Sequence, residues 1–312
     1  MSPTRSRLLS GVGVGVTVGA LDAWLLSQTH ERLLRFGLET ALVVAAGLLV
    51  AAFVGRRTVR ALVLVLAVSV MTGAWIGANS AHSSWFGQMV SHGNRSDRRV
   101  ALTFDDGPNA TATLAIRDEL DAHGAKGTFF EVGKAAAARP DIVEALVRDG
   151  HLVANHSFHH DSYRWLDPRY PELDRTEASI DRVAGVCPAF FRPPHGQHTP
   201  FMAFVVHRRR MTMVGWDVSV ADWAVTDPKV IARRVLQRVR PGSIIDLHDG
   251  LDGHVQVDRS SLARAMPAIL DGLARRHLQP VRLDELLGRP GTLPTCPGRV
   301  SLPNAYPAVS RS

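Results

Sequence analysis

Cysteine and lysine are scarce in this 312-residue chain, and long stretches of one charge are absent. The only cysteines are Cys187 and Cys296, and no Cys-x-x-Cys pair occurs, which argues against a metal site built on paired cysteines. Lysine occurs only at Lys126, Lys134 and Lys229, so the net charge of +7 rests on arginine. No run of five or more basic residues occurs, and we therefore predict no nucleic-acid partner.

Charged residues are also nearly absent from three apolar runs within residues 1–80. These runs extend over about residues 8–26, 40–54 and 61–78. Because their lengths approach the ~20 residues that span a bilayer, they predict about three transmembrane helices. In a different interpretation, the third run is a signal-like segment that is cleaved near residues 78–81.

Arginine placement predicts how the membrane segment is oriented. Arg5 and Arg7 precede the first run, and further arginines fill the short turn between the second and third runs. Since cytoplasmic loops carry the excess of arginine, we expect a multi-pass protein of the cell membrane with everything after about Ala81 outside the cytoplasm. That location permits a disulfide between the two cysteines, although the sequence does not show whether they meet.

Strands and helices alternate after a polar stretch, residues 81–98, that we interpret as a linker. Seven strands are predicted at Val100–Phe104, Gly127–Val132, Leu152–Asn155, Ala189–Arg192, Thr212–Asp217, Ser243–Leu247 and Pro280–Leu283. The intervening segments are predicted as helices at about residues 111–123, 135–149, 172–183, 200–209, 228–239 and 260–276. Such alternation predicts an α/β domain with a parallel sheet, open or closed into a barrel. The proline-rich tail, residues 289–312, is expected to wrap the surface or to be disordered.

Two adjacent carboxylates, Asp105 and Asp106, follow the first of these strands. Gly107 and Pro108 end the strand there, so both acids are expected at its carboxyl end, where α/β folds build active sites. Neighbouring strand residues point to opposite sides, so that one carboxylate can bind a metal while the other reaches a water molecule. An ordinary Asp-Gly-Pro turn is the simpler alternative.

Histidines with metal-ligand spacing follow the third predicted strand. His156 and His160 are four residues apart and can face one ion if the segment turns helically, whereas His159 is interpreted as a bystander. Together with a carboxylate from the Asp105-Asp106 pair, they would leave a metal with open positions for water and substrate. Surface histidines in a loop are the alternative.

Side chains that could take part in catalysis or substrate binding also follow three later predicted strands. Arg192 can fix a carboxylate through two parallel hydrogen bonds. Asp222 is a candidate to orient a basic side chain, and Trp223 could either form the wall of a sugar site or pack in the core. His248 could act as a general acid, since its unperturbed pKa of ~6.5 suits proton transfer near neutrality.

These segments, in this order, resemble the polysaccharide deacetylases, the fourth family of carbohydrate esterases, over about residues 99–288. The resemblance implies a distorted (β/α) barrel with about seven parallel strands. It also implies hydrolysis of N- or O-acetyl groups on sugars with a divalent metal, commonly Zn²⁺, with Co²⁺ or Mn²⁺ as alternatives. No protein partner is predicted.

The resemblance further implies a role for each matched residue. Asp105 matches the catalytic base, and Arg192 matches the arginine that orients it. Asp106, His156 and His160 match the metal ligands.

The remaining matches concern the acid and the substrate. His248 matches the catalytic acid and Asp222 its orienting partner, while the backbone N–H of His195 would help to bind the oxyanion. Trp223 and Leu247 would form the pocket for the acetyl methyl group.

Three positions depart from the family pattern. Ser219 stands where an aspartate is often found, His195 where an aromatic residue is frequent, and Asp246 where an apolar residue is usual. The shape of the pocket and the substrate therefore stay open. Peptidoglycan or a chitin-like polymer, a lipid-linked sugar, and sugar binding without catalysis are the alternatives.

Overall fold

The computed structural model describes residues 57–81, 84–161, 167 and 169–296. The chain divides into two compact units, residues 1–77 and 78–312. The predicted membrane runs at residues 8–26 and 40–54 lie outside the described residues. Helix α1 (Arg57–Ala78) covers the third run. None of the described helices combines the length and the apolar character needed to cross a membrane.

Among the described residues of the second unit, nine strands form one sheet in which every ladder is parallel. Their bounds are β1 Met89–Val90, β2 Arg99–Asp105, β3 Thr128–Glu131, β4 Leu152–Asn155, β5 Phe190–Phe191, β6 Thr212–Val214, β7 Val218–Ser219, β8 Ile244–His248 and β9 Gln279–Val281. All seven predicted strands are present. The two that were not predicted, β1 and β7, are two residues long, which is too short for a recognisable periodicity.

The strands follow the order β1-β6-β5-β4-β3-β2-β8-β7, and β9 pairs with the beginning of β2. Within the described part of the chain the two end strands do not pair with each other. The sheet is a curled half-barrel, which fits the predicted distorted barrel. Since β2 lies between β3 and β8, its carboxyl end is bordered by two further strand ends.

Helices α2 to α8 lie between the strands of the second unit, and α9 follows β9. Their bounds are α2 Thr113–Ala122, α3 Gly133–Ala138, α4 Pro140–Arg148, α5 Glu172–Ala184, α6 Pro200–Arg208, α7 Pro228–Arg238, α8 Ser260–Arg275 and α9 Leu283–Leu287. One helix was predicted over residues 135–149, but the structure has two, α3 and α4. Pro140 explains the break, because proline has no N–H to donate and disfavours helical backbone at the residue before it.

Alternate residues of the central strands face two different cores. Leu102 and Phe104 of β2 belong to the apolar cluster between the sheet and the helices. Ala101 lies on the other face, in a cluster inside the half-barrel that also contains Phe130 and Ile244. Since side chains alternate along a strand, Thr103 and Asp105 also face the inside of the half-barrel. The polar edge of this inner face holds the candidate site.

The predicted linker, residues 81–98, contributes to the fold itself. It contains β1, which pairs with β6, and Arg95, whose guanidinium lies 2.7 Å from the carboxylate of Asp217. Only two of its residues enter the sheet, so the polar composition of the segment does not indicate this role. Of the predicted tail, residues 297–312 lie outside the described part of the chain.

Cys187 and Cys296 form a disulfide, with their Cα atoms 5.2 Å apart. The bond closes a loop between positions that are 109 residues apart in the sequence, and both cysteines are buried. It ties the segment after β9 to the segment that leads into β5.

Removal of this disulfide is expected to lower the stability of the chain. Because a cross-link over so long a loop restricts the unfolded ensemble, the double variant Cys187→Ala, Cys296→Ala should lose about 2–4 kcal/mol of unfolding free energy. Chemical denaturation under non-reducing conditions would measure the loss, and reductant should cause a similar loss in the wild type alone. An unchanged denaturation midpoint in both experiments would contradict the prediction.

Candidate active site

Asp105 and Asp106 occupy the turn at the end of β2, and both are buried. Asp105 is the last residue of the strand and shares its inward face. Asp106 has a left-handed backbone, with φ at 74°, which turns its side chain away from that of Asp105. The two carboxylates have different closest partners: Asp105 contacts Arg192 at 2.6 Å, and Asp106 contacts His160 at 3.1 Å, while His156 Nε2 lies within 3.7 Å of both.

Asp106, His156 and His160 lie together, and one potential ligand atom from each is within 4.8 Å of the other two. His160 Nε2 lies 3.1 Å and His156 Nε2 lies 3.4 Å from Asp106 Oδ1. That oxygen is buried and has no hydrogen-bond partner among the described residues. A buried, unsatisfied carboxylate oxygen facing two imidazole nitrogens suits a divalent metal, so the three residues fit the predicted ligand set.

The charges of this cluster favour an ionised carboxylate. Burial alone would raise the pKa of Asp106, but His160 and His156 outweigh it and hold this pKa well below its usual range. A metal ligand must be deprotonated, and the cluster keeps Asp106 in that form.

Neighbouring groups hold the two histidines in place. His156 Nδ1 lies 2.8 Å from the carbonyl oxygen of Arg192, which leaves Nε2 directed to the site. His160 Nδ1 lies 2.8 Å from Asp252 Oδ1, and the backbone N–H of Asp252 donates to Asp106 Oδ2. Carboxylates that contact the second nitrogen of a ligating histidine commonly orient its ring. Asp252 was not predicted, and its only signal in the sequence is that it lies four residues after His248.

Arg192 is fully buried inside the half-barrel. Its Nη1 donates to Asp105 Oδ1 at 2.6 Å and to Thr103 Oγ1 at 2.9 Å, and its guanidinium carbon lies 4.1 Å from the centroid of the Phe130 ring. The same Nη1 lies 3.5 Å from Asp246 Oδ1. The structure thus places the Arg192 guanidinium where it can fix the Asp105 carboxylate.

His248 lies across from Asp105, because the two are register partners in the β2–β8 ladder. Its Nδ1 is 3.0 Å from Asp222 Oδ1, and Arg259 donates to the other oxygen of Asp222 at 2.6 Å. Burial alone would lower the pKa of His248, but Asp246 and Asp222 outweigh it and hold this pKa well above its usual value. Arg259 was not predicted, because it belongs to none of the motifs described above.

The residues predicted to receive the substrate have different surroundings. Trp223 is 54% exposed, which excludes the core-packing alternative and leaves its ring available to a ligand. His195 has a left-handed backbone, and its ring centroid is 4.7 Å from that of His160.

Leu247 does not line the site. It is fully buried in the outer cluster between the sheet and the helices, because alternation along β8 turns it away from His248. The inward position next to His248 belongs to Asp246, which corrects the assignment of Leu247 to the pocket.

Comparisons with known proteins show which proteins this chain resembles. A model of the polysaccharide deacetylase family matches residues 92–214. A chitooligosaccharide deacetylase of Sinorhizobium fredii is 35% identical over 185 residues, which are 55% of this chain and 86% of that protein. A peptidoglycan-N-acetylglucosamine deacetylase of Bacillus cereus is 34% identical over 172 residues, which are 54% of this chain. The chain spans 62% of the length of that relative.

Solved structures show the same fold. The crystal structure of a peptidoglycan N-acetylglucosamine deacetylase bound to a naphthyl N-hydroxybenzamide superposes with a TM-score of 0.60 at 30% identity, covering 65% of this chain and 94% of that one. A family 4 carbohydrate esterase from Streptomyces lividans in complex with acetate gives a TM-score of 0.53 at 33% identity, covering 58% and 91%. Sequence motifs, fold and comparisons thus agree that the chain belongs to the polysaccharide deacetylase family.

Proposed function

We propose that this chain is a metal-dependent deacetylase that hydrolyses acetyl groups from N-acetylglucosamine residues of a polymer outside the cytoplasm. The proposal rests on three features that lie at one edge of the sheet. They are the cluster of Asp106, His156 and His160, the Asp105 carboxylate bound by Arg192, and the His248 ring held by Asp222. Peptidoglycan and chitin-like polymers are the preferred substrates, because relatives that match over most of the α/β domain are named for peptidoglycan and chitooligosaccharide deacetylation.

Asp106, His156 and His160 would hold the metal. Two imidazoles and one carboxylate are a ligand set that suits Zn²⁺, with Co²⁺ and Mn²⁺ as alternatives. When bound, such an ion supplies a Lewis acid that activates water and polarises the acetyl carbonyl.

The protein's own side chains would move the protons. Asp105 accepts the proton of the attacking water, and Arg192 holds the receiving carboxylate in one orientation. His248 then donates a proton to the leaving amine from the opposite strand, while Asp222 keeps its ring oriented and positively charged. The backbone N–H of His195 is proposed as a donor to the oxyanion.

We further propose that the active site lies outside the cytoplasm and that residues 1–80 anchor the chain in the membrane. The apolar runs and the arginine placement of that segment support this location. The disulfide between Cys187 and Cys296 also supports it, because disulfides persist in oxidising compartments.

Acetate release tests the proposed function. The full chain, purified in detergent, would be given N-acetylglucosamine oligomers and purified peptidoglycan after metal removal, and then again after Zn²⁺ is added back. Release that depends on Zn²⁺ would support the proposal and rank the two polymers. Equal release without any divalent metal would contradict the metal role. If the Zn²⁺-loaded chain released acetate from neither polymer, the choice of polymer would be contradicted and a lipid-linked sugar would be favoured as the substrate.

Asp222→Asn is expected to move the alkaline limb of the pH–rate profile to lower pH. The protonated form of His248 is the active one, so the rate falls as pH rises through its raised pKa. Loss of the Asp222 charge lowers that pKa, and since hydrogen bonds to charged groups contribute about 1.5–3 kcal/mol, the limb should shift by about 1–2 pH units. The profile of kcat measures the shift. Asp258→Asn, an exposed carboxylate in the loop after β8, is the matched control and should leave the limb in place.

A further inference from the structure

Asp246 is a buried carboxyl group that the proposed proton transfers do not use. It lies on β8 opposite Thr103, one inward position below the pair formed by Asp105 and His248. One carboxylate oxygen of Asp105, one of Asp246 and one ring nitrogen of His248 all lie within 4.8 Å of one another. Asp246 therefore lies at the inner end of the space between the proposed base and the proposed acid.

The neighbouring positive charges are more closely paired with other carboxylates. Arg192 Nη1 is 2.6 Å from Asp105 but 3.5 Å from Asp246. The ring of His248 has its close contact with Asp222, at 3.0 Å. Burial, with the nearby charge of Asp105, raises the pKa of Asp246 to about 7. A buried carboxyl group whose described side-chain hydrogen bond is a long one, from Arg192 at 3.5 Å, can accept an additional hydrogen-bond donor.

The geometry of the reaction directs one part of the substrate to this carboxyl. The carbon under attack must lie between Asp105, which accepts the water proton, and His248, which protonates the amine. The sugar leaves with the amine toward solvent, so the acyl group's α-carbon points into the half-barrel. The next inward side chain of β8 at that depth is Asp246. A methyl group would leave the carboxyl with the long hydrogen bond from Arg192, whereas a hydroxyl group would supply a further donor.

We propose that Asp246 closes the acyl subsite and selects amides whose acyl α-carbon carries a hydroxyl group, of which glycolyl is the smallest, over acetyl amides. This inference rests on the proposed function and specifies its acyl group. In the reaction, the oxygen of water bonds to the carbonyl carbon and the carbon–nitrogen bond breaks. Glycolate and the free amine of the sugar are the products.

Competition between two acyl groups tests this selection. Matched oligomers of N-glycolylglucosamine and N-acetylglucosamine would be given to the Zn²⁺-loaded full chain, and kcat/KM would be measured for each. The wild type should prefer the glycolyl substrate by tenfold or more, and Asp246→Leu should favour the acetyl substrate. Asp246→Asn keeps an oxygen at the same place and should retain more of the glycolyl preference than Asp246→Leu.

A measurement on the wild type alone avoids any dependence on folding of the variants. Free glycolate should inhibit the reaction at concentrations at least tenfold below those of acetate. Acetyl release without a glycolyl preference, or a preference that Asp246→Leu leaves unchanged, would overturn this inference alone. Release of neither acid by the metal-loaded chain would overturn both the inference and the proposed function.

Discussion

Asp105→Asn is expected to reduce kcat for acetate release by about 10³-fold, within the range that a general base contributes. Asparagine has nearly the same shape and can still accept a hydrogen bond from Arg192, but it does not take up the proton of the attacking water. Asp105 is not one of the three residues of the metal cluster, so metal binding should persist. KM should change little, because the variant leaves Trp223 and the surface around the site unchanged. Initial rates on N-acetylglucosamine oligomers would give both constants.

Metal content separates loss of the base from loss of the site. Asp105→Asn should retain bound Zn²⁺, measured by elemental analysis of the dialysed protein, whereas Asp106→Asn should lose it. Asp258→Asn, in the loop after β8, is a control that should keep both metal and activity. A kcat for Asp105→Asn within threefold of the wild type would rule out Asp105 as the base.

The strand ends were the most predictable part of this molecule. The apolar stretches that precede Asp105 and His248 form neighbouring parallel strands, and parallel strands bring their carboxyl ends to one edge. Residues that follow such stretches therefore meet even when they are more than 100 positions apart. The predicted positions of Asp106, His156 and Arg192 depended on the same rule.

The side to which a residue points was less well predicted, although a signal existed. Once His248 faces the site, the period of two in a strand places Asp246 inward and Leu247 outward. The family resemblance led to the opposite choice. An aspartate at that inward position was noted as a departure, but only the register opposite Thr103 shows what it contacts.

Supporting residues could not be predicted because they come from loops. Arg259 reaches Asp222, and Asp252 reaches His160, across segments without regular periodicity. Their contacts depend on how the loop after β8 folds back over the sheet edge, which local sequence does not specify. Strand β1 shows the same limit, since its two residues belong to the sheet only through their pairing with β6.

Arg192→Met is expected to destabilise the fold and to abolish activity. The guanidinium is the closest positive charge to Asp105, and its removal leaves buried carboxylates without that partner. Breaking one side of a buried ion pair typically costs about 3–5 kcal/mol of unfolding free energy. Protonation of Asp246, whose pKa is about 7, would remove one uncompensated charge. The wild-type-to-variant difference should therefore be larger at about pH 8 than at about pH 5. Above about pH 7 the wild-type Asp246 releases its proton, whereas the folded variant, without the guanidinium that lowers this pKa, retains a proton that the unfolded state has lost.

A lysine at the same position distinguishes charge from geometry. Arg192→Lys keeps a positive charge near Asp105 and should recover a large part of the lost stability, measured by chemical denaturation at both pH values. It does not reproduce the planar fork that also reaches Thr103 and the carbonyl oxygen of Gly215, so kcat should stay well below that of the wild type. If Arg192→Met instead unfolded at the wild-type denaturant midpoint at both pH values, the guanidinium would not be compensating these carboxylates. The burial of Asp105 and Asp246 would then need another explanation.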